Sequence, residues 1–139
     1  METINYQTLQ ETLYYEEMAN GLKVYLLPKK GFSKTYGLFS THFGSVDTTF
    51  VPLGENEMIT VPDGIAHFLE HKMFEMQDGD ASEKFAQLGA STNAFTSSSR
   101  TAYLFNTTSH ENECVELLLD FVQDIYLTDQ TVEKEKGII

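Results

Sequence analysis

Apolar and polar residues alternate from Thr12 to Glu17 and from Leu22 to Leu27, with Asn20-Gly21 between the two runs. A period of two predicts strands, and Asn-Gly is the dipeptide that a tight hairpin turn favours. Thr35 to Phe43 continues the pattern as a third strand ended by Gly44, and Glu57 to Val61 is a short fourth candidate. Past Pro62 the apolar spacing changes to three and four. This predicts a helix from about Ile65 to Met76, with Asp63 in the turn before it as its cap. A second helix is expected to start at Asp80, whose spacing to Glu83 is that of a capping box, and to end near Gly89. Ser91 to Thr96 and Thr101 to Thr107 read as paired strands around a turn at Ser97 to Arg100. Ser109 is expected to cap a long amphipathic helix to about Tyr126. A last helix begins near Thr128-Asp129 and runs to Ile139 with no stop signal.

Strands first, helices interleaved later and tight hairpins together predict a two-layer α+β domain, its largely antiparallel sheet packed against helices. The 139 residues, 41% hydrophobic, suit one domain with a real core. Ten Phe and seven Tyr argue against disorder despite the charge imbalance. Nine basic against 21 acidic side chains leave a net charge of -12, the wrong sign for replacing counterions on nucleic acid. No apolar run approaches the roughly 20 residues of a membrane span, and no basic, apolar leader is visible at the start. The single cysteine, Cys114, excludes a disulfide within the chain and is expected to be a buried thiol. These features make the cytoplasm the expected location. The uncapped last helix makes the chain read as part of a longer protein.

The chemistry concentrates in His67-Phe68-Leu69-Glu70-His71. Helical residues four apart differ by roughly 40° in direction and one turn in height, so His67 and His71 point the same way. Glu70 lies roughly 60° to the other side of His67, within reach of a water bound between the rings. Two imidazoles and a neighbouring carboxylate are what a hydrolytic zinc centre uses. Ile65, Ala66, Phe68, Leu69 and Met73 cover most of the remaining circumference, which predicts a helix buried nearly all round. Lys72 is the exception, with a stem long enough to reach water. The bland alternative is a pair of core histidines bonded to backbone, with Glu70 in a salt bridge. In the last helix Val132, Glu135, Ile138 and Ile139 share one face, while Glu133, Lys134 and Lys136 fall elsewhere. An acid on an apolar face points either to a role at the site or to a structural ion pair.

H-x-x-E-H is the inverted zinc motif, and the segment resembles that of the insulinase and pitrilysin family, which includes the mitochondrial processing peptidases. Asp63-Gly64-Ile65-Ala66 leads into the motif as in that family. Gly89 to Thr96, followed by Thr101-Ala102-Tyr103, resembles the family's substrate-binding strand and its neighbour. Val132 to Ile139 resembles the start of the helix that delivers the third ligand. The resemblance implies a zinc metallopeptidase of processing-peptidase type, with His67 and His71 as ligands of a zinc ion and Glu70 as general base. It implies that Asn93 and Ala94 lie on a sheet edge that takes up an extended peptide substrate, and that Glu135 is an acidic residue supporting catalysis. Taken without the family, Ser91 to Thr96 would read as a polar edge strand with no ligand.

The family's third ligand, a glutamate, falls a few residues beyond Ile139, and neither His42, His110 nor Cys114 takes its place in the pattern. The chain, residues 1–139, thus reads as the N-terminal part of the zinc-binding domain, inactive by itself and a weak metal binder. Two other readings compete. One is a non-catalytic scaffold or a partner for a paralogous subunit, against which the intact motif speaks. The other is an S-ribosylhomocysteine lyase, whose Gly- and Met-rich cysteine context Cys114 does not resemble.

Overall fold

Strand β1 (Glu2–Tyr6) opens a three-stranded antiparallel sheet in the order β1-β2-β3, with β2 at Glu11–Glu17 and β3 at Lys23–Leu26. In this computed structural model residues 1–138 are described, and they fall into two compact units, Met1–Ser33 and a second that begins at Lys34. The first sheet belongs to the first unit. Its β2–β3 hairpin is the predicted one: Asn20 Oδ1 accepts from the Leu22 N–H at 3.1 Å, and Tyr15 faces Tyr25 across the ladder with ring centroids 4.9 Å apart. Strand β1 was not foreseen. Only Ile4 and Tyr6 alternate in it, and all five of its residues are exposed.

The second unit is built on β4 (Thr35–Thr41), which joins a sheet of order β4-β10-β9 with β9 at Ser91–Thr96 and β10 at Thr101–Thr107. Two short antiparallel pairs, β5 (Thr49–Phe50) with β6 (Ile59–Thr60) and β7 (Glu75–Met76) with β8 (Gly79–Asp80), complete the strands. Four helices follow the predicted order: α1 (Ile65–Met73), α2 (Ala81–Gln87), α3 (Glu111–Phe121) and α4 (Asp129–Lys136). The chain is therefore α+β, and every strand pair is antiparallel.

Helices α1 and α2 lie against β9, α3 against β10 and β4, and α4 against α1. Between them is an aromatic core: Phe85 stacks on Phe105 at 5.9 Å, and Phe121 meets both Phe85 and Tyr103 edge-on. Each fully buried Phe contributes about 1.5–3 kcal/mol of transfer free energy. Gly37 on β4 faces Phe105 on β10, and a Cβ there would lie 2.2 Å from the ring. Glycine at that position is what lets the central ring lie flat against the sheet. Cys114 is buried in this core, as its apolar context predicted.

Several local expectations are corrected. Helix α1 stops at Met73 rather than Met76, because Glu75 and Met76 turn back to pair with Gly79 and Asp80. Its N-cap is Gly64, not Asp63, and the cap has a φ of 84°, a conformation that costs glycine little. Asp80 does cap α2, accepting from the Ser82 N–H at 2.7 Å, and Glu83 adds charge to the first turn. Helix α2 closes as predicted at Gly89, with Gly89 N–H to Ala86 O and Ala90 N–H to Phe85 O. His110, not Ser109, caps α3, since Thr107 holds the Ser109 backbone through its hydroxyl. Helix α3 ends at Phe121 rather than Tyr126, and Ile125, Tyr126 and Leu127 beyond it are exposed.

Lys72 does not reach water. It is fully buried and its ammonium is paired with Glu75, which the β7–β8 hairpin folds back over the end of α1. Nor is α1 sealed all round: His67 is exposed, and Ile65, Phe68, Leu69 and Met73 are half-buried. Ala66, Leu69 and Met73 border an apolar groove of about 370 Å³ together with Phe39, Phe43 and Tyr103. In α4, Glu133, Lys134 and Lys136 are exposed and Glu135 is buried, as predicted, but Ile138 lies past the helix end and is exposed. Ile139, expected to end that helix and share its apolar face, lies outside the described residues.

Candidate metal centre

Helix α1 carries the motif, and its period does what the spacing requires. His67 Nε2 and His71 Nε2 lie 3.1 Å apart, with the ring planes nearly perpendicular and the centroids 4.7 Å apart. Two nitrogens about 2.05 Å from a zinc ion at a tetrahedral angle would be about 3.3 Å apart. The observed separation is within a few tenths of an ångström of that.

What lies behind His71 sets which of its nitrogens faces His67. Helix α4 presents Glu135 to His71, and Nδ1 of the ring lies 2.7 Å from Glu135 Oε1. A carboxylate only accepts, so Nδ1 carries a proton and Nε2 is the nitrogen of His71 that faces His67. A metal ion between the rings requires both Nε2 atoms free of protons, which couples metal binding to proton release. Glu135 is 8% exposed, while the His71 side chain is 37% exposed, so their bond is half-buried.

Glu70, also 8% exposed, accepts from Thr96 Oγ1 at 2.6 Å. Its negative charge has one visible electrostatic effect: burial first, and the Glu70 carboxylate second, push the Tyr103 hydroxyl well above its ordinary value of 10.0. Glu70, His71 and Glu135 line a groove of about 380 Å³ whose other wall is formed by Thr92, Asn93 and Ala94 of β9. Glu75 and Asp80 border it as well, so four carboxylates face this space, a potential that draws cations. Strand β9 pairs with β10 on one side only, which makes it a sheet edge. Asn93 is exposed on that edge, and its Oδ1 accepts from the Ala94 N–H at 2.9 Å.

Of the six residues singled out from sequence, Glu70, His71 and Glu135 line this groove with Asn93 and Ala94 opposite them, and His67 lies beside it with its Nε2 against that of His71. Among the described residues no group of three His, Cys, Asp or Glu side chains is arranged to hold one ion. Two imidazole nitrogens suit zinc, and a complete site needs a further protein ligand. Sequence reasoning did not single out Thr96 or the Lys72–Glu75 pair. The alternation of β9, which turns Thr92, Ala94 and Thr96 inward, carried the signal for Thr96.

The α+β layer thus sets two imidazoles of one helix 3.1 Å apart beside a carboxylate-lined groove, an arrangement of the kind a metallopeptidase uses. The sequence profile of Insulinase (Peptidase family M16) matches residues 55–139, and the chain belongs to that family. Over all 139 residues it is 64% identical to the uncharacterized zinc protease YmfH of Bacillus subtilis, covering 32% of that protein. It is 34% identical to subunit 1 of the mitochondrial cytochrome b-c1 complex of Rattus norvegicus over 72% of the chain and 22% of the relative. The crystal structure of an M16-like peptidase from Alicyclobacillus acidocaldarius superposes with a TM-score of 0.88 at 46% identity, over 97% of this chain and 31% of that one. The chain therefore spans a third or less of the length of these relatives.

Proposed function

We propose that this chain is the part of a zinc-dependent endopeptidase that supplies two zinc ligands, the general base and the peptide-binding edge. The observation that carries the reading is the pair of Nε2 atoms 3.1 Å apart, one of them on a ring whose far nitrogen is bonded to Glu135. When bound, zinc polarises the scissile carbonyl and makes a water acidic enough to be deprotonated near neutral pH. His67 and His71 would hold the ion through Nε2. Glu135 keeps the His71 ring turned toward it and strengthens its lone pair. Glu70 takes the proton from the attacking water and can return it to the leaving amine. The free edge of β9 at Asn93 and Ala94 holds the substrate as an added strand, a mode that reads backbone and therefore favours extended peptides.

A third protein ligand is needed, and we place it as a glutamate following Ile139 in the parent protein. The 139 residues alone would then bind zinc weakly and be inactive. The name of the Bacillus subtilis relative supports zinc and proteolysis, and that of the b-c1 relative, a subunit of a complex, supports assembly with a partner subunit, which we take to be a paralogous one. The deciding experiment is Glu70→Gln in the full-length protein, with zinc content and cleavage of an unstructured peptide both measured. Stoichiometric zinc with peptide cleavage abolished is the expected result. Cleavage at the wild-type rate in this variant, or a wild-type protein without zinc, removes the proposal.

A further inference from the structure

The inward positions of β9 do three different things. Thr92 turns its hydroxyl to its own sheet, donating to the Leu104 carbonyl at 2.8 Å, and Ala94 packs against the aromatic core. Thr96 reaches off the sheet to α1 and donates from Oγ1 to Glu70 Oε2 at 2.6 Å. Resting on the metallopeptidase reading above, we propose that Thr96 is the positioning residue of the general base: it holds Oε2 of Glu70 and so presents Oε1 to the proton it must accept.

Three observations carry this. The distance is that of a direct, short hydroxyl–carboxylate hydrogen bond, with the Thr96 hydroxyl donating. The donor is rigid. Threonine is stiff at χ1, and Thr96 faces Thr101 across the ladder, where Thr101 Oγ1 is itself bonded to the Phe43 carbonyl at 2.8 Å. The turn that follows is closed by Ser97 N–H to Arg100 O at 2.8 Å. Its Ser97 and Ser98 carbonyls accept from the N–H groups of Ser45 and Val46 at 2.9 and 3.1 Å. Finally, among the described residues Thr96 is the one hydrogen-bond partner of the Glu70 carboxylate. A three-carbon side chain held by one bond loses its aim when that bond goes, and misplacement of a reacting group by about 1 Å lowers rates about 100-fold.

The test uses the full-length protein and an internally quenched, unstructured peptide that the wild type cleaves. Thr96→Val keeps the shape and the β-branch but removes the donor. It is expected to lower kcat about 10- to 100-fold, the loss of one hydrogen bond to a charged group, with KM and zinc content unchanged. Thr96→Ser restores the donor and should recover kcat to within a few-fold of wild type. Should the valine variant fail to fold, Thr96→Ala removes the same hydroxyl and decides the question in its place. Wild-type kcat in the variant lacking the hydroxyl overturns the inference, as does a rise in KM at constant kcat or a serine variant as impaired as valine. Glu70→Gln, measured alongside, separates the two levels. If it too cleaves normally the peptidase reading has failed, whereas if it is inactive while Thr96→Val is not, only the role of Thr96 has failed.

Discussion

Replacing Glu135 asks whether His71 is held from behind by α4. The bond is 2.7 Å long between Nδ1 and Oε1. The carboxylate is 8% exposed but the His71 side chain 37%, so water screens the bond in part and the lower end of the range below is favoured. A hydrogen bond to a charged group contributes about 1.5–3 kcal/mol. At 1.4 kcal/mol per factor of ten, this amounts to about 10- to 100-fold in zinc affinity. The range agrees with the roughly 10- to 100-fold that partners behind metal-binding histidines generally contribute. Glu135→Gln keeps an acceptor for Nδ1–H but loses the charge, and falls at the low end. Glu135→Ala frees the ring to rotate or to carry its proton on Nε2, and falls at the high end.

The assay is competition for zinc between the full-length protein and a fluorescent chelator at fixed pH, with Glu135→Ala, Glu135→Gln and wild type compared. Metal-free thermal stability serves as the control. It should fall more in the alanine than in the glutamine variant, because removing one partner of a buried pair leaves the other unsatisfied, so affinities are compared on protein that remains folded. The expected order of affinity is wild type, then Gln, then Ala. An alanine variant that binds zinc as tightly as wild type refutes the reasoning and leaves Glu135 a structural ion-pair partner. Equal loss of stability and affinity in both variants would do the same, by showing that the fold and not the ring's orientation had changed.

Two further perturbations test the frame beneath the site. Gly37→Ala puts a Cβ 2.2 Å from a Phe105 ring that is fully buried and cannot move aside. It should destabilise by about 1–3 kcal/mol, read as a lowered midpoint in a thermal melt; an unchanged midpoint would show that β4 and β10 part without cost. The second concerns alkaline pH. Burial and the nearby Glu70 charge hold the proton on folded Tyr103 above its ordinary 10.0. As pH rises past 10, the unfolded chain loses this proton first and so binds fewer protons than the folded one. Stability is therefore level below pH 10 on account of this group and is lost above it. Tyr103→Phe should lose less stability than wild type between pH 9.5 and 11 in denaturant titrations; parallel curves would remove Tyr103 as the cause.

How far the fold could be read in advance depended on whether local pattern or tertiary contact set each boundary. β9 and β10 appear at the predicted residues because their alternation is strong and their turn is short. The end of α1 could not be read, since Glu75 and Met76 are helix-compatible residues drawn into a hairpin by pairing with Gly79 and Asp80. Lys72 failed for a related reason. Its burial depends on Glu75 returning over the helix end, and no periodicity within α1 announces that. Strand β1 is nearly all polar, so its existence rests on the ladder with β2 rather than on any apolar face of its own.

The site divides along the same line. Spacing alone brings two imidazoles to one side of α1, but it does so equally for a chelating pair and for two core histidines bonded to backbone. The distinction lies in what each ring meets beyond its own helix, and α1 has no say in that. Glu135, 64 residues away, takes Nδ1 of His71 and leaves Nε2 facing His67. Thr96 stands to Glu70 as Glu135 stands to His71: each comes from another element and fixes one atom of a group on α1, so that the opposite atom is free to react. A five-residue motif on one helix therefore supplies reactive groups without orientation. Orientation comes from β9 and α4, which is why residues with no place in the motif are expected to control metal affinity and rate separately.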